Sequence, residues 1–362
     1  MKARIAYLPG DGIGVEVLHE ARQVLEVIAS EHNHSFEFVE GDIGAIAIDR
    51  HNDPFPKVTE EICLASKAVL LGAVGHPKYD HLPPSKRAEG GLLRMRSVLG
   101  NYANLRPVVV PEALVDSSPL RKEIVRGSDL LIVRELLGGI YFGSPRGTEK
   151  DQAFNTEIYS RDEVRRVSKI AFKLAQHRRR GVTSVDKANV LESSQLWRET
   201  VVELAKAFPD VTLSHMYVDN CAMQIVARPQ QFDVIVTNNM FGDILSDEAS
   251  MLPGSLGLLP SASIGGKVGL YEPVHGSAPD ISGKGIANPL GAISSAAMLL
   301  EHSLELTREA TKIERAVVKV LARGYRTADL KHRGREKTKE KMVSTKEMGE
   351  LICDYIRMPD AT

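Results

Sequence analysis

The apolar positions of this chain fall into short β-rich runs separated by longer stretches of helical period. Residues 3–8, 35–40, 68–74, 130–134, 182–185, 211–218, 232–237 and 268–274 read as strands. Residues 15–30, 161–180, 193–208 and 220–228 repeat their apolar side chains three and four apart, which predicts amphipathic helices. Strands alternating with helices predict α/β layers around a largely parallel sheet. Two runs break that rhythm. GGIYFGSPRG (138–147) and FNTEIYS (154–160) are β-like segments about a Gly/Pro-containing loop, and they predict an antiparallel arm or hairpin. The basic stretch 331–341 reads as a solvated helix and loop rather than a binding tail.

Bulk properties narrow the class. A chain of 362 residues is too long for one ordinary core and predicts two domains. Hydrophobic content of 43% and charged content of 26% are those of a globular protein. A net charge of -1 gives no reason to expect a nucleic-acid or anionic-membrane partner. Cys63, Cys221 and Cys353 are far apart, suit a reducing compartment and form no zinc spacing. The first apolar run is too short for a signal peptide, and AVLLGAV at 68–74 falls far short of the ~20 residues that span a bilayer. A cytoplasmic location is expected.

The loop LPGDGIG, residues 8–14, invites a dinucleotide reading that its spacing does not support. The fingerprint G-x-G-x-x-G/A places a small residue where the helix packs closely. Counting from Gly10 puts Val15 there, and from Gly12, Val17. Glu40 also lies well beyond the ~20 residues at which the ribose-binding acid belongs. Nor is there a phosphate loop at Gly283–Lys284, since Ala278 and Gly285 occupy the positions that need Gly and Ser or Thr. What remains is a tight strand-to-helix turn with Asp11 near a helix N-terminus.

Three constellations carry chemistry. In FGDILSDEASM, Asp243 and Asp247 are four apart, on one helix face after an apolar run. Either they are a helix cap and a solvated acid, or they share a hard cation such as Mg²⁺ or Mn²⁺. MYVDNCAMQ adds a third acid, Asp219, at another strand-to-helix junction. Arg96, Arg106 and Arg134 are candidate carboxylate clamps, because a guanidinium fork pairs carboxylates bidentately. The alternative is three ordinary ion-pair arginines. Lys187, in VDKANVLE, ends a short strand, and like charge from a metal and arginines around it would favour its neutral, basic form. Tyr141 is either a reacting group or packing within the arm.

Together these runs resemble the isocitrate/isopropylmalate dehydrogenases, the metal-dependent β-decarboxylating hydroxyacid dehydrogenases. The resemblance extends from LPGDGIG through NLRP, VRELLGGIYFGSPRG, VDKANVLE, MYVDNCAMQ and NMFGDILSDEASMLPGSLGLLPSAS to EPVHGSAPDISGKGIANP. It implies two α/β domains of that family's own fold, not the Rossmann fold. Residues 1–101 with 254–362 would bind the cofactor; residues 102–253 would bind substrate and metal and carry a dimerising arm at about 138–160. It also implies a homodimer with two shared sites, Lys187 and Asp219 reaching in from the neighbouring subunit. Asp243, Asp247 and Asp219 would hold Mg²⁺ or Mn²⁺, while Arg96, Arg106 and Arg134 bind malate carboxylates. Lys187 would be the base and Tyr141 the acid.

By the same resemblance, NAD would lie along residues 275–288, with His275, Gly276, Ser277, Ala278, Asp280, Ile281 and Asn288, and along the loop starting at Gly75. Asp280 would accept from the adenosine ribose hydroxyls and repel a 2′-phosphate, favouring NAD over NADP. Glu89 and Leu92 stand where relatives acting on isocitrate meet a third carboxylate. An apolar Leu92 beside a charged Glu89 favours a branched alkyl group, as in 3-isopropylmalate. The rival substrates are isocitrate, homoisocitrate, tartrate and 3-methylmalate. A non-catalytic regulatory subunit would be expected to lack Lys187, Tyr141 or a metal acid, and all are present.

Overall fold

The computed structural model describes residues 1–331 and 340–359, so most of the basic stretch 331–341 lies outside the described residues. The strands in chain order are β1 Lys2–Gly10, β2 Ser35–Glu40, β3 Ala68–Ala73, β4 Ala103–Val109, β5 Asp129–Glu135, β6 Gly147–Glu149, β7 Gln152–Phe154, β8 Gly181–Asp186, β9 Thr212–Tyr217, β10 Val234–Thr237, β11 Pro260–Ile264 and β12 Gly269–Pro273, with two-residue strands at Tyr325–Arg326 and Lys341–Met342. The chain forms two compact units. One gathers Met1–Asn101, Pro111–Ser117 and Gly254–Thr362, and the other Tyr102–Val110 and Ser118–Pro253. Among the described residues no helix is long and apolar enough to cross a membrane.

In the unit holding both chain ends, β1 lies between β2 and β3 and runs parallel to both. β12 continues the parallel set beside β3, and β11 returns antiparallel to β12. Strand β3, AVLLGA, is buried throughout, as a strand with both faces covered must be. Helix Gly14–Glu31 buries Val17, Leu18, Ala21, Val24, Leu25 and Ile28 along one stripe. Helix Leu290–His302 is buried nearly all round, so it lacks the two-faced pattern that betrays a surface helix. Strand β11 was not among the expected strands: PSASI is short, opens on a proline and owes its pairing to the neighbouring β12.

The LPGDGIG turn is a structural clasp. Asp11 is buried, and its carboxylate accepts from Ala45 N at 2.8 Å, Ile46 N at 3.0 Å and Gly75 N at 2.8 Å. It therefore caps helix Ala45–His51 rather than helix Gly14–Glu31, whose N-terminus has no side-chain cap. Burial pushes the Asp11 carboxyl above its ordinary range, and the three N–H groups oppose that. Ile13 N donates to Ser277 O at 2.8 Å, and Gly12 sits at φ +57° where a Cβ would lie 2.0 Å from that same oxygen.

In the second unit the strand order is β4-β5-β10-β8-β9. β4 and β5 are antiparallel, with Asn104 opposite Arg134; β5, β10, β8 and β9 run parallel. β4 carries Pro107 in its middle, which is why the run reads poorly as a strand. An antiparallel hairpin forms, but it is smaller than the two runs suggest and lies between them. Gly147 pairs with Phe154, Thr148 with Ala153 and Glu149 with Gln152, and all six residues are exposed. The preceding segment instead curls into a short 3₁₀ turn, Gly139–Tyr141. The Glu135 carboxylate takes Leu137 N at 3.0 Å and Gly138 N at 2.8 Å and so bends the chain away from a strand.

Candidate active site

Parallel pairing brings the chemistry-bearing residues of the second unit to one edge of its sheet. Arg134 near the end of β5, Thr237 of β10 and Val185 of β8 are in register. The segments leaving those carboxyl ends carry Tyr141, helix Asn239–Ser250 with its two acids, and Lys187. The end of β9 feeds helix Val218–Ala227 and Asp219. Ligand sites of open α/β sheets lie at this edge.

Six residues meet there. Arg134 pairs with Asp243 through Nη1, and its guanidinium lies 5.7 Å from the centre of the Tyr141 ring. Tyr141 Oη donates to Asp243 Oδ2 at 2.9 Å. Arg106 donates to Ser246 Oγ at 2.6 Å and to Asp247 Oδ1 at 3.3 Å, and stands 3.7 Å from Asp243. Both arginines are buried, while Asp247 is largely open to solvent. Burial raises the Tyr141 hydroxyl above its ordinary range, as does the charge of Asp243, so it keeps its proton at neutral pH. Desolvation likewise raises Asp247, opposed by Arg106 and assisted by Asp243. The pair of acids is held against two guanidiniums, and its hard oxygen donors suit Mg²⁺ or Mn²⁺. Gly242 permits the approach, because a Cβ there would stand 2.7 Å from Arg134 Cβ.

Lys187 and Asp219 form a separate pair. Lys187 Nζ donates to Asp219 Oδ1 at 2.7 Å, which pulls the Asp219 carboxyl below its ordinary range. The like-charge surroundings expected for Lys187 are thus replaced, within its own chain, by an opposite charge. Among the described residues no three His, Cys, Asp or Glu side chains of the one chain converge closely enough to hold a metal ion. Cys221, next to Asn220, is buried and its thiol is pushed up to about 12 by burial, with Glu248 adding to the shift, which leaves it without thiolate reactivity at neutral pH.

The other unit carries the remaining candidates. Arg96, buried on helix Ala88–Leu99, pairs with Glu272 at 2.8 Å and leaves its Nε without a partner. On the same helix Glu89 is exposed, whereas Leu92 leans on the core cluster of Leu8, Phe55, Val69, Leu71 and Met95. His275 Nδ1 contacts Gly276 O at 2.9 Å, and its buried Nε2 has no partner. Burial holds that ring below its ordinary pKa, so it is neutral and can hydrogen-bond a ligand at Nε2. Asp280 is exposed in the turn that follows, where Ala278 has φ +37° and Ile281 N donates to Ala278 O at 3.1 Å. Positions 276, 283 and 285 open onto empty space. An orphaned imidazole nitrogen, an open glycine loop and an exposed acid suit a dinucleotide. Two of the candidates are committed to the fold: Ser277 accepts from Ile13, and Asn288 Oδ1 caps Leu290 N at 3.0 Å while Nδ2 donates to Asp329.

Sequence reasoning missed the groups that orient these side chains. Asn104 Oδ1 accepts from Arg106 Nε at 2.7 Å, and the i, i+2 spacing on one strand face could have signalled it. Asn239 accepts twice from Arg134, more than a hundred residues away, and no local pattern reveals that. Glu272, the partner of Arg96, is equally distant.

Known proteins give these positions a context. Residues 4–352 match the family described as isocitrate/isopropylmalate dehydrogenase. The chain is 54% identical over 354 residues to a 3-isopropylmalate dehydrogenase of Wolinella succinogenes, covering 98% of both chains. It is 56% identical over 352 residues to the protein of that name from Thermotoga maritima, covering 97% of this chain and 98% of the other. Among solved structures it resembles an isocitrate dehydrogenase from Methylococcus capsulatus, with a TM-score of 0.86, 35% identity and coverage of 98% and 99%.

Proposed function

Since the chain belongs to the isocitrate/isopropylmalate dehydrogenase family, we propose that it oxidises 3-isopropylmalate with NAD and removes its β-carboxylate to give 4-methyl-2-oxopentanoate, a step of leucine biosynthesis. The observation that carries this reading is the cluster in which a protonated Tyr141 and two buried arginines surround paired acids. Isocitrate, homoisocitrate, tartrate and 3-methylmalate are the rival substrates. Leu92 beside Glu89 favours an alkyl group over a third carboxylate.

Asp243 and Asp247, with Asp219 of a second copy, would hold Mg²⁺ or Mn²⁺, which would supply Lewis-acid polarisation of the hydroxydiacid, and bound NAD would supply the hydride acceptor for C2. Arg106 and Arg134 bind and orient the malate carboxylates, and the family pattern adds Arg96, Glu89 and Leu92 to the substrate contacts. Lys187 takes the proton of the C2 hydroxyl. After CO₂ departs, Tyr141 Oη delivers its proton to the enol carbon, C3. The cofactor contacts follow His275, Gly276, Ser277, Ala278, Asp280, Ile281, Asn288 and the loop at Gly75, with Asp280 on the ribose.

The protein works as a homodimer in this reading. Support comes from two features of the second unit. Lys187 and Asp219 pair with each other instead of completing the Asp243–Asp247 cluster, as residues destined for a neighbour's site would in one chain. Met223 and Val226 on helix Val218–Ala227, with Ile244 and Met251 along and just past helix Asn239–Ser250, are exposed apolar side chains that a second copy would cover.

The test is NADH formation from 3-isopropylmalate and from each rival, with and without EDTA. The expected result is turnover of 3-isopropylmalate, abolished by EDTA and restored by Mg²⁺ or Mn²⁺. Faster turnover of a rival moves the protein to a sister activity, and undiminished turnover after chelation removes the metal from the mechanism.

A further inference from the structure

We propose that Asn239 is a positioning residue that locks the Arg134 guanidinium and the Tyr141 turn into a single unit; this rests on the function proposed above. Asn239 opens helix Asn239–Ser250 and is buried. Its side-chain oxygen accepts from Arg134 Nε at 3.0 Å and from Arg134 Nη2 at 2.8 Å, using both lone pairs on one edge of the guanidinium fork. Its amide nitrogen donates to Leu136 O at 3.1 Å and to Gly138 O at 3.2 Å, the carbonyls that lead into the turn Gly139–Tyr141. Its backbone N donates to Tyr159 Oη at 2.9 Å, and the Tyr159 ring packs against Gly138 and Gly139.

These contacts close on themselves. Tyr141 bonds one oxygen of Asp243, Arg134 bonds the other, Asn239 holds the opposite edge of Arg134, and the same amide holds the carbonyls that carry the chain back to Tyr141. One buried side chain thus fixes a carboxylate-binding group and a proton-donating group relative to each other. Its side-chain amide has every hydrogen-bonding position engaged, two accepting and two donating, toward Arg134 and the carbonyls of the turn. Removing it frees the guanidinium and the turn together, so binding and turnover suffer in concert.

Two measurements decide the matter. In steady-state assays Asn239→Ala raises KM for 3-isopropylmalate about tenfold and lowers kcat by at least as much, while NADH affinity stays at the parental value. Introduced into Arg134→Lys, which has no fork to hold, Asn239→Ala adds little further loss in KM, because its effect on binding runs through that fork. Independently of activity, the Arg134 Nε–H signal in ¹⁵N NMR is protected from exchange in the parent and exposed in Asn239→Ala. Asn239→Asp, which keeps an acceptor oxygen at that place, retains the protection while kcat falls through loss of the bonds to Leu136 and Gly138. Fully additive losses in the double variant, or equal Nε–H exchange in parent and Asn239→Ala, overturn the inference. A parent that leaves 3-isopropylmalate untouched but shows the protection pattern overturns the proposed activity and leaves the positioning role standing.

Discussion

Tyr141 Oη donates a 2.9 Å hydrogen bond to Asp243, so the proposed proton donor and a proposed metal ligand are in direct contact. The raised hydroxyl pKa keeps the donor charged with its proton on the alkaline side of neutrality. A Tyr141→Phe variant is expected to keep NADH affinity and lose about a hundredfold or more in kcat. Fluorescence titration alongside initial-rate kinetics reads both; a kcat near the parental value removes Tyr141 from the protonation step.

The Lys187–Asp219 pair gives a test of shared sites. Lys187→Ala and Tyr141→Phe are each expected to be nearly inactive. Mixed under conditions that exchange subunits, they form hybrids in which one of two sites has both groups intact. Random pairing then restores about a quarter of parental activity, since half the dimers are hybrids with half their sites working. No recovery after verified subunit exchange places Lys187 in the site of its own chain.

Glu20 makes stability depend on pH. Its carboxylate is buried against Gly349, where a Cβ would stand 2.0 Å from Oε2. Burial, with help from Glu350 and against Lys346, pushes its pKa from 4.5 to about 7. The folded pKa exceeds the unfolded one, so the acid carries no penalty when protonated in both states. The penalty grows as pH rises from 4.5 through 7 and reaches up to about 3 kcal/mol above that. Glu20→Gln is therefore expected to raise the Tm at pH 8 clearly more than at pH 5 in scanning calorimetry, and a pH-independent difference refutes the burial argument.

Asp11 ties together three segments of its own unit. Asp11→Ala leaves the N–H groups of Ala45, Ile46 and Gly75 without their acceptor, at a cost of about 3 kcal/mol. Asp11→Asn, which retains an acceptor oxygen, is expected to cost less. Urea unfolding measures both, and a loss below about 1 kcal/mol for the alanine variant contradicts the clasp.

Local periodicity made most of the sheet legible. The parallel strands 35–40, 68–73, 129–135 and 181–186 are dense in β-branched or apolar residues, and each was visible to within about two residues. Strands β4 and β11 were not so plain, because Pro107 and Pro260 mask runs whose stability comes from distant partners. Motif spacing made Asp243 and Asp247 visible as candidates and the family resemblance added Tyr141, yet the bonds that aim the neighbouring arginines come from Asn104, Asn239 and Ser246. The bonds from Asn239 and Ser246 span more than a hundred residues and leave no trace in local composition, whereas that from Asn104 is local. The turn at 138–143 misled for a related reason: its alternation suggests a strand, but Glu135 spends its carboxylate on bending the backbone.

Helix Asn239–Ser250 rides so close to β5 at Gly242 that even a methyl group there collides with Arg134. The span between that arginine and the two helix acids is accordingly a fixed ruler, closed to adjustment at position 242. Any side chain at position 242 therefore disturbs that spacing, and variants altered at Gly242 will drop out of any library selected for activity.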